Sequence, residues 1–144
     1  MKNRLLLLKG PGSRCHGIWN SRWYRNEAGN SKKIWSFVMN DELWNLMPMD
    51  SSLNSSKSNK LPKWDPFFLV FAENQYSMYT LIHEREALHK RFEACYKDNL
   101  HSIWAGQELY RPGNTKEEFY NILQKNMQPV YDSARRQGYE IWNV

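Results

Sequence analysis

The chain has 144 residues, of which 24% are charged, and a formal net charge of +5. This length suits a single domain over residues 1–144, which can bury enough surface to fold without disulfides or a metal. No apolar run approaches the roughly 20 residues that cross a membrane, so we expect no membrane association and a cytoplasmic location. The two cysteines, Cys15 and Cys95, are predicted to be free thiols.

The positive charge is concentrated near the beginning of the chain. Residues 1–40, here called the N-terminal basic segment, hold eight basic residues and one acidic residue, a net charge of +7. Residues 41–144 hold 12 basic and 14 acidic residues, a net charge of −2. Such an asymmetry indicates a polyanionic partner. The 21 aromatic residues exceed what a core of this size needs, so some are expected on a binding surface.

The N-terminal basic segment is predicted to be mostly β-structure. Residues 3–9 are apolar and are predicted to form a buried strand, which a turn rich in glycine and proline ends. Residues 18–25 and 33–39 flank a short loop with a glycine, a pattern typical of a β-hairpin. Residues 41–47 are predicted to form a short helix. Residues 49–63 are polar and serine-rich and are predicted to be a mobile loop.

The middle of the chain contains a second predicted hairpin. Residues 67–72 form a continuous apolar run, Phe-Phe-Leu-Val-Phe-Ala, which indicates a central strand. Residues 76–82 are predicted to be its partner, after a tight connection. Helical spacing follows over residues 84–104, with Asp98-Asn99 as a potential break and Gly106 as the end.

The last helix has the clearest start signal in the chain. Thr115, with Glu118 three residues later, predicts a capping box, and Gly138 predicts the stop. Between them, apolar residues at helical spacing predict one apolar stripe: Phe119, Ile122, Leu123, Met127, Val130, Tyr131 and Ala134. Residues 139–144 are predicted to form a closing strand. Together these elements predict an α+β fold, with an antiparallel or mixed sheet of about five to six strands and two main C-terminal helices packed on one face.

A basic and aromatic stretch is the strongest functional signal. Basic side chains neutralise phosphates, and flat rings stack on exposed bases. We therefore predict a nucleic-acid-binding surface, here called the basic-aromatic surface, formed by Arg14, Trp19, Arg22, Trp23, Tyr24, Arg25, Lys32 and Lys33. The alternative is that the tryptophans face the core and that the basic residues only aid solubility.

Two histidines suggest a different function. His83 and His89 lie near the start of the predicted helix, and histidine can transfer protons near neutral pH. Together with Arg22 or Arg25, which would hold phosphate, and with Tyr24, either histidine is a candidate catalytic residue of a metal-independent ribonuclease of the toxin type. The alternative is a solvated cluster of charges at a helix start. The sequence shows no metal-ligand spacing and no nucleotide-binding motif, so neither a metal nor a cofactor is expected.

The functional prediction is a small basic binding protein that engages RNA, single-stranded nucleic acid or a nucleoprotein, as phage or mobile-element accessory factors do. The ribonuclease is one alternative. The other is an inhibitor or immunity-type protein, in which the same positive charge binds an acidic protein partner.

Overall fold

The structure is a computed structural model that describes residues 15–17, 42–48, 56–58 and 60–143. These residues are mostly helical. The three longest helices among them are α1 (Trp64–Glu84), α2 (Glu86–Cys95) and α3 (Lys116–Arg136). Helix α1 packs against both α2 and α3.

Helix α1 occupies the part of the chain in which a hairpin was predicted. Its buried side chains recur every three or four residues: Phe68, Phe71, Ala72, Gln75, Met78, Tyr79 and Ile82. This spacing makes one face of a helix. Pro66 lies in the first turn, where its missing N–H costs no hydrogen bond. The two predicted strands, residues 67–72 and 76–82, are therefore wrong.

Helix α2 covers only part of the helix predicted over residues 84–104. Arg85 is extended between α1 and α2, and α2 ends at Cys95. A 3₁₀ turn, Lys97–Asn99, follows where a break was predicted. Gly106 does not end this region, because it lies inside a π-helical turn, Ala105–Leu109.

The structure confirms the predicted last helix, which is α3. The Thr115 side chain accepts a hydrogen bond from the Glu118 N–H at 3.2 Å, and the Glu118 carboxylate accepts one from the Thr115 N–H at 2.8 Å. Five residues of the apolar stripe are buried: Phe119, Leu123, Met127, Tyr131 and Ala134. Gly138 follows the helix with a φ of +93°, which glycine adopts without strain.

Short extended segments take the place of the predicted sheet. Strand β1 (Cys15–Gly17) pairs antiparallel with β2 (Leu46–Pro48), so that His16 lies opposite Met47. A 3₁₀ turn, Leu43–Asn45, precedes β2, where a helix over residues 41–47 was predicted. The Gln75 amide of α1 donates a 2.6 Å hydrogen bond to the Leu46 carbonyl, which attaches this segment to the helices.

The C-terminal segment forms a single β-bridge instead of a closing strand. Leu61 and Ile141 pair in parallel. The Leu61 N–H donates to the Glu140 carbonyl at 2.8 Å, and the Trp142 N–H donates to the Leu61 carbonyl at 2.7 Å. The C-terminal end therefore packs beside the residues that precede α1.

The predicted α+β fold is thus wrong for the described part of the chain. That part contains no sheet beyond the β1–β2 pair, and its helices pack on one another. The predicted strand at 3–9 and the hairpin at 18–25 and 33–39 lie outside the described residues. Of the polar stretch 49–63, residues 56–58 and 60–63 are described. Within it, the Lys57 and Leu61 side chains are buried.

The aromatic residues of the described chain lie in the core or at its edge. Residues 42–46 and 60–143 contain 16 aromatic side chains, and each is buried or half-buried. Trp64 stacks on Phe68 with centroids 5.1 Å apart, and the Tyr79 and Phe119 rings are 5.0 Å apart. Edge-to-face and stacked pairs of this kind add to the stabilisation from burial.

Candidate functional site

The predicted basic-aromatic surface lies outside the described residues. None of Arg14, Trp19, Arg22, Trp23, Tyr24, Arg25, Lys32 and Lys33 is among them. Their role in nucleic-acid binding stays a prediction.

The two candidate catalytic histidines come close together where α1 meets α2. Their ring centroids are 6.0 Å apart. His83 is on the last turn of α1 and is half-buried, whereas His89 is on the first turns of α2, with 44% of its side chain exposed. The bend at Arg85 allows both rings to face the same region, although six positions separate them in the chain.

Contacts with the backbone and with a tyrosine hold the His83 ring in place. His83 Nε2 lies 3.1 Å from the Tyr110 carbonyl oxygen. Because a carbonyl only accepts, Nε2 carries the proton and Nδ1 is left as an acceptor. The Tyr79 ring contacts His83 edge-on, with centroids 4.6 Å apart. His83 is therefore a positioned imidazole with one basic nitrogen.

The surroundings of His83 favour its neutral form. Burial lowers the pKa of His83, the nearby His89 lowers it further, and the hydrogen bond to Tyr110 opposes both effects. His89 lies 3.9 Å from the Glu93 carboxylate, one helical turn away. A neutral histidine beside one that faces a carboxylate is an arrangement that can accept and supply protons.

A buried carboxylate lies near Tyr110. Glu42 is 5% exposed and accepts hydrogen bonds from the Ser102 N–H at 2.8 Å and from the Ser102 hydroxyl at 3.1 Å. The Tyr110 hydroxyl is buried and has no hydrogen-bond partner among the described residues. Burial raises the pKa of Tyr110, and the negative charge of Glu42 raises it further.

Sequence reasoning missed Tyr110 as a neighbour of His83 and Glu42 as a neighbour of Tyr110. In the sequence, the residues around Glu42 indicated only the start of a short helix. No sequence pattern connects Glu42 with Tyr110, which is 68 positions later in the chain. Only the packing of residues 42–48 against the helices brings these groups together.

The described ranges contain neither a candidate metal site nor a candidate membrane span. The residues there contain no cluster of three or more histidine, cysteine, aspartate or glutamate side chains that could hold a metal ion. Among the described helices, none combines the length and apolar character needed to span a membrane.

The charges of the described helical region balance one another. Residues 60–143 hold 11 basic and 11 acidic residues and have no net charge. Several are paired along the helix surface, such as Lys90 with Glu86 at 2.6 Å and Lys97 with Glu93 at 2.8 Å. This region therefore has no net charge that would attract a polyanion.

No protein-family model, curated protein or solved structure matches this chain.

Proposed function

We propose that the protein binds RNA, single-stranded nucleic acid or a nucleoprotein through its N-terminal basic segment, with the helical region as its scaffold. The observation that carries this proposal is the division of charge along the chain. Residues 1–40 have a net charge of +7, whereas residues 60–143 are neutral. A partner attracted by positive charge is therefore attracted to the first 40 residues.

The distribution of aromatic residues supports the same proposal. All 16 aromatic side chains of residues 42–46 and 60–143 are buried or half-buried. The other five of the 21 lie in the N-terminal basic segment: Trp19, Trp23, Tyr24, Trp35 and Phe37. Stacking on unpaired bases is worth about 1–3 kcal/mol for each base. The proposal assigns such stacking to these five residues, which are next to the excess basic residues in the sequence.

Fluorescence anisotropy with labelled single-stranded RNA and DNA tests this proposal. We expect the double variant R22A/R25A to weaken binding by about tenfold, because it removes two guanidinium groups that would donate charge-assisted hydrogen bonds to phosphate. The weakening should be similar for all sequences, since phosphate contacts carry no sequence information.

The matched control removes the same charge elsewhere. Arg91 and Arg136 are exposed on α2 and α3, so R91A/R136A lowers the net charge equally without touching the N-terminal basic segment. We expect it to bind nearly as the wild type does. Equally weakened binding in the two double variants would contradict the proposal. Recovery of an acidic protein without nucleic acid would favour the inhibitor alternative.

The proximity of the two histidines favours one second candidate, a metal-independent ribonuclease. His83, with its lowered pKa, is suited to accept the proton of a ribose 2′-hydroxyl through Nδ1. The ring centroid of His89 is 6.0 Å from that of His83, and in this candidate function His89 protonates the leaving oxygen. The 2′-oxygen attacks phosphorus as the bond from phosphorus to the 5′-oxygen breaks. A 2′,3′-cyclic phosphate and a 5′-hydroxyl result, so the atoms balance without a metal.

Incubation of the protein with RNA in EDTA, with and without ribosomes, tests this candidate. We expect cleavage that H83A and H89A each abolish. His101 is exposed and is not one of the two proposed catalytic residues, so H101A should retain activity. Intact RNA under all conditions, or equal activity in the three variants, would rule this candidate out.

A further inference from the structure

A groove lies between the beginning of α1 and the beginning of α3. Its volume is about 600 Å³, within the range of ligand-binding clefts. One wall consists of Trp64, Phe68 and Leu69 of α1, and the opposite wall includes Tyr120 of α3. The groove is separate from the two histidines, because His83 lies at the other end of α1 and His89 lies on α2.

The apolar wall of the groove is fixed in place and partly exposed. Trp64 stacks on Phe68 at an interplanar angle of 17°, and its ring centroid lies 4.9 Å from that of Tyr131. Leu69 is 62% exposed, which places it among the few large apolar side chains that the described chain leaves in solvent. Its neighbour Val70 is 56% exposed but does not line the groove.

The groove-lining charges that have no ion-pair partner among the described residues are negative. The Lys116 amino group lies 2.5 Å from the Glu73 carboxylate, which balances its charge. Asp65 on one wall and Glu117 on the other form no ion pair with any described residue. An apolar surface between two carboxylates that pair with no described residue therefore lies on a helical region with no net charge.

We propose that this groove binds a polypeptide segment of a protein partner that presents a large apolar side chain flanked by lysine or arginine. The apolar side chain covers Leu69 and Trp64, and the flanking cations approach Asp65 and Glu117. Burial of an exposed leucine removes apolar area from water, at roughly 25 cal/mol per Å². The carboxylates repel phosphate, so this surface is distinct from the N-terminal basic segment and does not depend on the function proposed for it.

The test is a fluorescence-polarisation titration of the full chain with a labelled peptide of leucine and lysine at helical spacing. A second peptide has glutamate in place of lysine. We expect the lysine peptide to bind and the glutamate peptide to bind at least tenfold more weakly. L69D should weaken binding of the lysine peptide at least tenfold, and D65N/E117Q should weaken it several-fold.

Val70 supplies the matched control. Because Val70 is equally exposed and lies outside the groove, V70D should bind the lysine peptide as the wild type does. The proposal is overturned if L69D and V70D weaken binding equally, if the two peptides bind equally, or if the lysine peptide does not bind. It is also overturned if sedimentation shows a dimer that L69D disrupts and V70D does not, because the groove then binds a second copy of the chain.

Discussion

The surroundings of His83 determine how readily its ring takes up a proton. The Nε2 atom of His83 donates to the Tyr110 carbonyl. The neighbouring Tyr79 contacts the same loop. Its hydroxyl donates to the Arg111 carbonyl at 2.7 Å and accepts from the Asn114 N–H at 2.9 Å. These hydrogen bonds join the end of α1 to the chain that leads into α3. Protonation of His83 adds a charge to a half-buried ring that already faces His89.

Stability should therefore fall at mildly acidic pH. The pKa of His83 is lowered from the ordinary value of 6.5, so the unfolded chain takes up this proton before the folded chain does. The contribution of His83 is complete above about pH 6.5 and is lost as the pH falls toward the lower folded-state pKa. Urea unfolding at pH 7.5 and 5.5 measures the decrease.

Two glutamine variants test whether His83, rather than another histidine, causes the loss of stability at acidic pH. H83Q keeps an N–H donor near the Tyr110 carbonyl but does not titrate, so the fall in stability between the two pH values should shrink. H101Q changes an exposed histidine and should keep the wild-type fall. An unchanged fall in H83Q would show that His83 does not cause it.

At the scale of elements, α3 was predictable and α1 was not. The capping box and the apolar stripe of α3 are local signals, and the structure confirms both. In α1, Leu69 and Val70 complete an apolar run that looks like a buried strand, yet both are exposed on the outer face of the helix. Gln75 is buried within the stripe because its amide binds the chain around Leu46, a partner that no local pattern reveals. Pro66 in the first turn was the available signal for the helix.

The capping box should make a measurable contribution to stability. T115A removes the hydroxyl that accepts the Glu118 N–H, and replacement of an N-cap threonine by alanine typically costs about 1 kcal/mol. Urea denaturation should show this decrease in the free energy of unfolding. T115S keeps the hydroxyl and should retain most of the stability. If T115A and T115S are equally stable, the cap contributes nothing to the fold.

At the scale of the whole molecule, charge and aromatic residues are divided between two parts of the chain. In the described helical region, the aromatic side chains are buried or half-buried, and the basic and acidic residues are equal in number. Residues 1–40 carry the excess of positive charge. Composition alone identified the charge asymmetry. It did not identify the histidine pair or the groove beside Leu69, because each depends on how α1 packs against α2 or α3.

The salt dependence of nucleic-acid binding tests the central claim most directly. A protein that neutralises phosphates releases counterions, so the logarithm of the binding constant falls linearly with the logarithm of salt concentration. For single-stranded RNA, we expect a steep negative slope in the wild type and in R91A/R136A. The slope in R22A/R25A should be shallower by about 0.7 for each phosphate that this variant no longer neutralises. A slope that is the same in the wild type and R22A/R25A would contradict the account.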